Sequence, residues 1–152
     1  MRYYEDLPLN EFQHTNNYTM EKQEIMEFAG RWDPQPFHTD EEEAKKWPLG
    51  LTASSVHTIA ASVKLAQEMS MSKQQTAVVA GLGWDNVRMP HPVRPNDVIR
   101  VKAWMSEKRD SNSRPDCGIV TSQFEVYNQD DVMVLSYSIA SLVMKRPVES
   151  AT

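Results

Sequence analysis

The sequence predicts an α+β fold, with helices in the first half of the chain, antiparallel strands in the second, and a sheet packed on one long helix. Three observations carry this. Over residues 52–71, apolar side chains recur at helical spacing for longer than anywhere else. Over 97–105 the period falls to two, with Ile99, Val101, Ala103 and Met105 on one side and Arg100 and Lys102 on the other. Further on, the segments 119–127 and 132–145 flank the polar turn Asn128-Gln129-Asp130-Asp131, as the arms of a hairpin do.

Taken in order, residues 1–18 carry no strong pattern and predict a short strand and a loop. In 21–32, Ile25, Phe28, Ala29 and Trp32 share a helical face, with Gly30 as the expected left-handed terminator. The segment Asp33-Pro34-Gln35-Pro36-Phe37-His38 follows. Each proline fixes its own φ and drives the preceding residue out of the helical region, which predicts a stiff, non-helical turn. Thr39-Asp40-Glu41-Glu42 has the form of a capping box with Thr39 as cap, and Trp47-Pro48 stops the short helix it opens. In the 52–71 helix, Thr52 is the expected N-cap and Val56, Ile59, Ala60, Val63 and Ala66 the expected core face. Small residues crowd its first half, so another element can come close and the helix should be buried. Residues 77–81 and 84–89 predict a bent or bulged strand interrupted at Gly81 and Gly83, and 106–117 a charged loop. The tail 146–152 is expected to fray.

No repeat, low-complexity tract or linker divides the 152 residues, which predicts one domain over 1–152, large enough for a real core. A net charge of −5 argues against a nucleic-acid surface, which needs concentrated Lys and Arg. The single cysteine, Cys117, leaves no internal disulfide and fits a reducing compartment. The N-terminal residues lack the apolar stretch of a secretory signal, and no run reaches the eighteen or so apolar residues of a membrane span. These features predict a soluble, cytoplasmic protein with neither nucleic acid nor membrane as partner.

The chemistry is expected at Asp33 and His38, five positions apart across two prolines. A tight turn can bring the two side chains to one point, and a carboxylate beside an imidazole can take a proton from water near neutral pH. The same residues also fit a plainer role, with Asp33 capping a turn and His38 an ordinary half-buried histidine. At the entrance of the long helix, the backbone amides of Ser54 and Ser55 lack intrahelical partners and can stabilise a negative oxygen; both serines also fit as small packing residues. His57 reads as a core histidine bonded to backbone, and His14 and His91 as surface groups. No histidine pair has zinc spacing, so no metal is expected. Cys117 sits in a polar loop with no histidine nearby, Arg88 and Arg94 are candidates for phosphate contacts, and the nine methionines suit an adaptable apolar lining.

The segment Phe28-Ala29-Gly30-Arg31-Trp32-Asp33-Pro34-Gln35-Pro36-Phe37-His38 resembles the hydratase motif of MaoC-like dehydratases and (R)-specific enoyl-CoA hydratases. The resemblance continues through Ala44, through Gly50-Leu51-Thr52-Ala53-Ser54-Ser55-Val56-His57-Thr58, through Pro92-Val93-Arg94-Pro95-Asn96-Asp97, and through Val126-Tyr127-Asn128-Gln129-Asp130, so it spans residues 20 to 146. It implies a single hotdog domain, a long central helix wrapped by a curved antiparallel sheet, paired into a homodimer or higher oligomer. It implies Asp33 and His38 as a catalytic dyad that deprotonates a water adding to a trans-2-enoyl thioester, with the backbone amide of Ser55 as oxyanion donor. No cofactor is implied beyond the coenzyme A of the acyl-CoA substrate. The chain departs from the pattern twice: Gln35 stands where the motif has asparagine, and Ser54-Ser55 where the better-known hydratases have histidine-glycine. The extra side chains bear on substrate binding, so Ser54 and Gln35 join Arg88 and Arg94 as candidate substrate contacts. Two other readings stay open: a hotdog thioesterase, which uses a carboxylate to help water attack the carbonyl, and a non-catalytic acyl-thioester binding module.

Overall fold

Helical periodicity in the first half of the chain becomes four helices in the computed structural model, which describes residues 1–149. A 3-10 turn at Tyr4–Asp6 and two short strands, β1 (Gln13–His14) and β2 (Tyr18–Thr19), lead into α1 (Lys22–Trp32). Gly30 does not terminate α1, which runs through it. The stop comes at Asp33, whose backbone (φ −153°, ψ 71°) has left the helical region that Pro34 disfavours for its predecessor. Nor is the proline segment free of helix. Pro36 opens a one-turn helix, α2 (Pro36–Thr39), because proline is tolerated at the first helical position, and Gln35 ahead of it is extended. A second single turn, α3 (Glu41–Ala44), follows at once. The residue between the two turns is Asp40, so Asp40 caps α3 in place of Thr39, its carboxylate accepting from the amides of Glu42 (2.9 Å) and Glu43 (3.0 Å). Thr39 instead closes α2, its hydroxyl donating to the Gln35 carbonyl (3.0 Å).

The long helix, α4, spans Ser55–Lys73. It begins three residues later than expected because Thr52 and Ala53 bond elsewhere: the Thr52 amide donates to the Phe37 carbonyl (3.1 Å) and that of Ala53 to the Val93 carbonyl (2.8 Å). Ser54 is the N-cap residue. The buried face of α4 also differs from the expected one. His57, Thr58, Ala61, Ser62 and Leu65 are buried, His57 against α1, whereas Val56 is 52% exposed and Ala60 is exposed. Small and hydroxyl side chains let the sheet approach closely, and the polar atom of Ser62 is satisfied there by the Tyr137 hydroxyl (2.7 Å) and by the Ile59 carbonyl (2.7 Å).

Four long strands follow: β3 (Val78–Arg88), β4 (Val98–Asp110), β5 (Cys117–Tyr127) and β6 (Met133–Met144). All pairings between them are antiparallel, in the order β1-β4-β5-β6-β3, with β2 also on β4. β3 is one continuous strand whose register shifts three times, once between Gly81 and Gly83. β4 runs five residues past the expected end, since Glu107 to Asp110 pair with Thr121 to Gly118 of β5. Only residues 111–116 turn, so Cys117 is not in a polar loop but is the buried first residue of β5. The core between α4 and the sheet includes Leu65, Ile99, Val101, Val126, Leu135 and Tyr137, each such side chain contributing about 1.5–3 kcal/mol on burial. At the chain's end Arg146, the first residue of the tail expected to fray, is pinned to Asp6 through its guanidinium (2.6 Å) and to Glu5 through its amide (3.0 Å). The final positions of that expected tail, 150–152, lie outside the described residues. Among the described residues no helix is long and apolar enough to cross a membrane.

Candidate active site

Three short pieces of chain converge at the N-terminal end of α4. The last turn of α1 delivers Asp33, whose amide still bonds back to the Ala29 carbonyl (2.9 Å). α2 delivers His38, oriented by its own amide bond to the Gln35 carbonyl (2.9 Å). Residues 52–55 supply the third wall. The ring nitrogen Nδ1 of His38 lies 2.5 Å from the Thr52 carbonyl oxygen, and the Ser54 hydroxyl donates to Oδ2 of Asp33 at 2.6 Å. His38 Nε2 stands 3.7 Å from the same carboxylate oxygen.

The partners decide the tautomer. A carbonyl can only accept, so Nδ1 carries the proton of a neutral His38 and Nε2 keeps a free lone pair. At 3.7 Å, Nε2 and Asp33 are too far apart to bond directly, and both are acceptors. One water donating a hydrogen to each would fill the gap and be readied for deprotonation. His38 is only 8% exposed, while the Asp33 side chain keeps 28% of its surface, so the pair is open on the carboxylate side. Ser55 is the first residue of α4, and its amide precedes the first one that reaches back to a carbonyl of the helix entrance, that of His57 to Ser54 (3.0 Å). That amide, backed by a nineteen-residue helix, suits a developing negative charge.

Of the other expected contacts, Arg94 is tied to the chain that leads into α4. Its guanidinium donates to the Leu49 carbonyl in the segment leading to α4. The Gln35 side chain is exposed. Arg88 sits at the end of β3 and donates to its neighbour's carbonyl on Val87 (3.0 Å), with no contact that joins it to Asp33 or His38. Two contacts of the group had no sequence signal of their own: the Thr52 backbone carbonyl on His38, and the turn of the Ser54 hydroxyl, a candidate substrate contact, to the Asp33 carboxylate.

His57 is buried, as expected of a core histidine, yet its partner is not backbone. Its Nε2 meets Glu24 of α1 (3.2 Å), its ring stacks on Phe28 at 4.5 Å, and its Nδ1 is buried without a partner. Glu24 also accepts from the Tyr18 hydroxyl (2.7 and 2.8 Å), a bond that, together with burial, pushes the Tyr18 pKa up to about 12. Among the described residues no three His, Cys, Asp or Glu side chains gather to hold a metal ion. A cavity of about 380 Å³ lies between the C-terminal half of α4 and the sheet, lined by Met69, Met71, Met105, Phe124 and Ile139 among others. It does not include Asp33, His38, Ser54 or Ser55.

Residues 5–128 match the family model described as a MaoC like domain. Over 132 residues the chain is 32% identical to the uncharacterized protein YdeM of Bacillus subtilis, covering 86% of this chain and 91% of that one. It is similar in structure to a MaoC-like dehydratase from Rhodospirillum rubrum, with a TM-score of 0.83, 32% identity, and coverage of 97% of this chain and 100% of the other. The (R)-hydratase PhaJ1 of Pseudomonas aeruginosa, 20% identical with a TM-score of 0.70 over 99% of this chain and 92% of its own, shares the fold. The architecture of helix and curved sheet is a hotdog fold.

Proposed function

Since the chain belongs to the MaoC-like dehydratase family, we propose that it is a hydro-lyase that adds water across a trans-2-enoyl-CoA thioester or removes it from the 3-hydroxyacyl product. The observation that carries the reading is the gap between His38 Nε2 and the Asp33 carboxylate, two acceptors 3.7 Å apart at the mouth of α4. In the hydration direction, a water held in that gap attacks the β-carbon as one of its protons passes to the dyad. The electron pair of the carbon–carbon double bond moves toward the carbonyl, whose oxygen gains charge against the Ser55 amide. The proton then returns to the α-carbon, giving a 3-hydroxyacyl thioester, and the dyad is restored. Coenzyme A enters as part of the substrate, no other cofactor takes part, and Arg94 is the residue we assign to its phosphates. We further assign the protein to the cytoplasm, and to a homodimer or higher oligomer; the exposed apolar edge of β3 at Val78, Val79, Leu82 and Trp84 supports the second assignment.

The test is to incubate the purified protein with trans-2-enoyl-CoA thioesters of several chain lengths and follow both the conjugated alkene and free thiol. Loss of alkene absorbance without thiol is the expected result. Thiol release would make the protein a thioesterase, and binding without turnover would make it a carrier of acyl thioesters.

A further inference from the structure

The residues just ahead of α4 hold every part of the site at once. Thr52 fixes the His38 ring through its carbonyl, and Ser55 offers the amide. Between them Ser54 is fully buried, and its hydroxyl meets the Asp33 carboxylate at 2.6 Å, a charge-assisted length. As N-cap residue its hydroxyl would ordinarily turn to the helix amides, yet Ser54 makes no such cap bond. The donor is given over to Asp33, which otherwise hangs from the end of α1, a separate helix.

Resting on the hydratase reading, we infer that Ser54 is a positioning residue, fastening the Asp33 carboxylate to the element that carries the carbonyl-binding amide. The hydroxyl holds Oδ2 and stops rotation of the carboxylate about its Cβ–Cγ bond. The acid then keeps its separation from His38 Nε2, and the distance from attacking water to thioester carbonyl is set through the four consecutive residues 52–55. Ser54 itself touches neither water nor substrate, so its side chain governs the rate and not the affinity. A serine suits the role because it is short enough to be buried there and its single donor is matched by a single acceptor.

The experiment is a double-mutant cycle on the full chain, measuring kcat and KM for hydration of a trans-2-enoyl-CoA in the wild type, Ser54→Ala, Asp33→Asn and the double variant. Circular dichroism and thermal melting of each variant report folding. Ser54→Ala is expected to lower kcat by about tenfold to a hundredfold, the scale of a misplaced reacting group, with KM within about twofold. In the Asp33→Asn background, read at high enzyme concentration, the same change is expected to cost less than about twofold. Unchanged kcat in Ser54→Ala, a loss confined to KM, or an equal loss in both backgrounds each overturns the positioning role while leaving the hydratase reading in place. A wild type inert on every thioester overturns that reading, and the role with it.

Discussion

At 3.7 Å the imidazole of His38 and the carboxylate of Asp33 can share a water but cannot satisfy each other, and the proposed chemistry rests on that spacing. Asp33→Asn removes one acceptor for the water, and His38→Ala removes the other. Each variant is expected to lose about a hundredfold or more of the hydration rate while its circular dichroism spectrum is unchanged. Retention of full rate by both would dismiss the dyad. A second prediction concerns Gly118. A Cβ built there would lie 2.2 Å from the Tyr4 ring, which packs with Leu7, Val120 and Val143 in a small second cluster. Gly118→Ala should therefore lower the unfolding free energy by about 1–3 kcal/mol as the ring is displaced, read from the urea midpoint. An unmoved midpoint would mean that the ring yields freely. At this scale the meeting of Asp33 with His38, and the place of Ser54 and Ser55 at a helix entrance, were legible in the sequence, because proline spacing and a helix entrance leave marks in composition. The Thr52 carbonyl was not legible, since every residue has one. The direction taken by the Ser54 hydroxyl was equally hidden, because it depends on how α1 meets α4.

Between elements, the contact that sets α1 against α4 is the chain Tyr18–Glu24–His57, with Phe28 stacked on the imidazole. Tyr18 holds its proton up to about 12, from the Glu24 bond first and burial second, against an ordinary value of 10.0. A raised pKa means that the folded state keeps the proton longer than the unfolded chain does. Its stabilising effect is whole below about pH 10 and is lost as pH climbs towards 12. Tyr127, raised likewise to about 12 by Glu125, acts in the same window. Melting temperature should fall across that interval, and absorbance titration should find late-ionising tyrosines. Glu24→Ala should move one of them down from about 12, burial keeping part of the rise; no change on that substitution would remove Glu24 as the cause. The face of α4 shows where sequence periodicity stops short. Apolar spacing pointed to Val56, Ile59, Ala60, Val63 and Ala66, and Ile59 does pack on the core, but the fully buried stripe lies beside it, where small side chains permit close approach and Ser62 finds Tyr137. Hydrophobicity reports which residues avoid water. It does not report which surface can be reached at shorter range.

For the molecule as a whole, the α+β class and the run of antiparallel strands in the second half followed from the change of period along the chain, whereas the order of strands in the sheet and the open surface did not. The stripe around Val56 and the edge strand β3 leave apolar groups facing solvent, Leu82 at 52% exposure among them. An uncovered apolar edge favours pairing with another chain. Leu82→Arg is expected to convert a dimer to monomer in sedimentation equilibrium; a wild type that sediments as a monomer, or a variant that still sediments as a dimer, would remove β3 from the interface. The site, finally, is made of unequal materials. The amide of Ser55 belongs to a nineteen-residue helix anchored in the core, but His38 rides on α2, a single turn beside another single turn, α3. Pieces that short do not persist unaided and open before the sheet does. Mild urea should thus silence turnover while far-ultraviolet ellipticity still reads as native, and amide exchange at residues 36–44 should outpace that along β5.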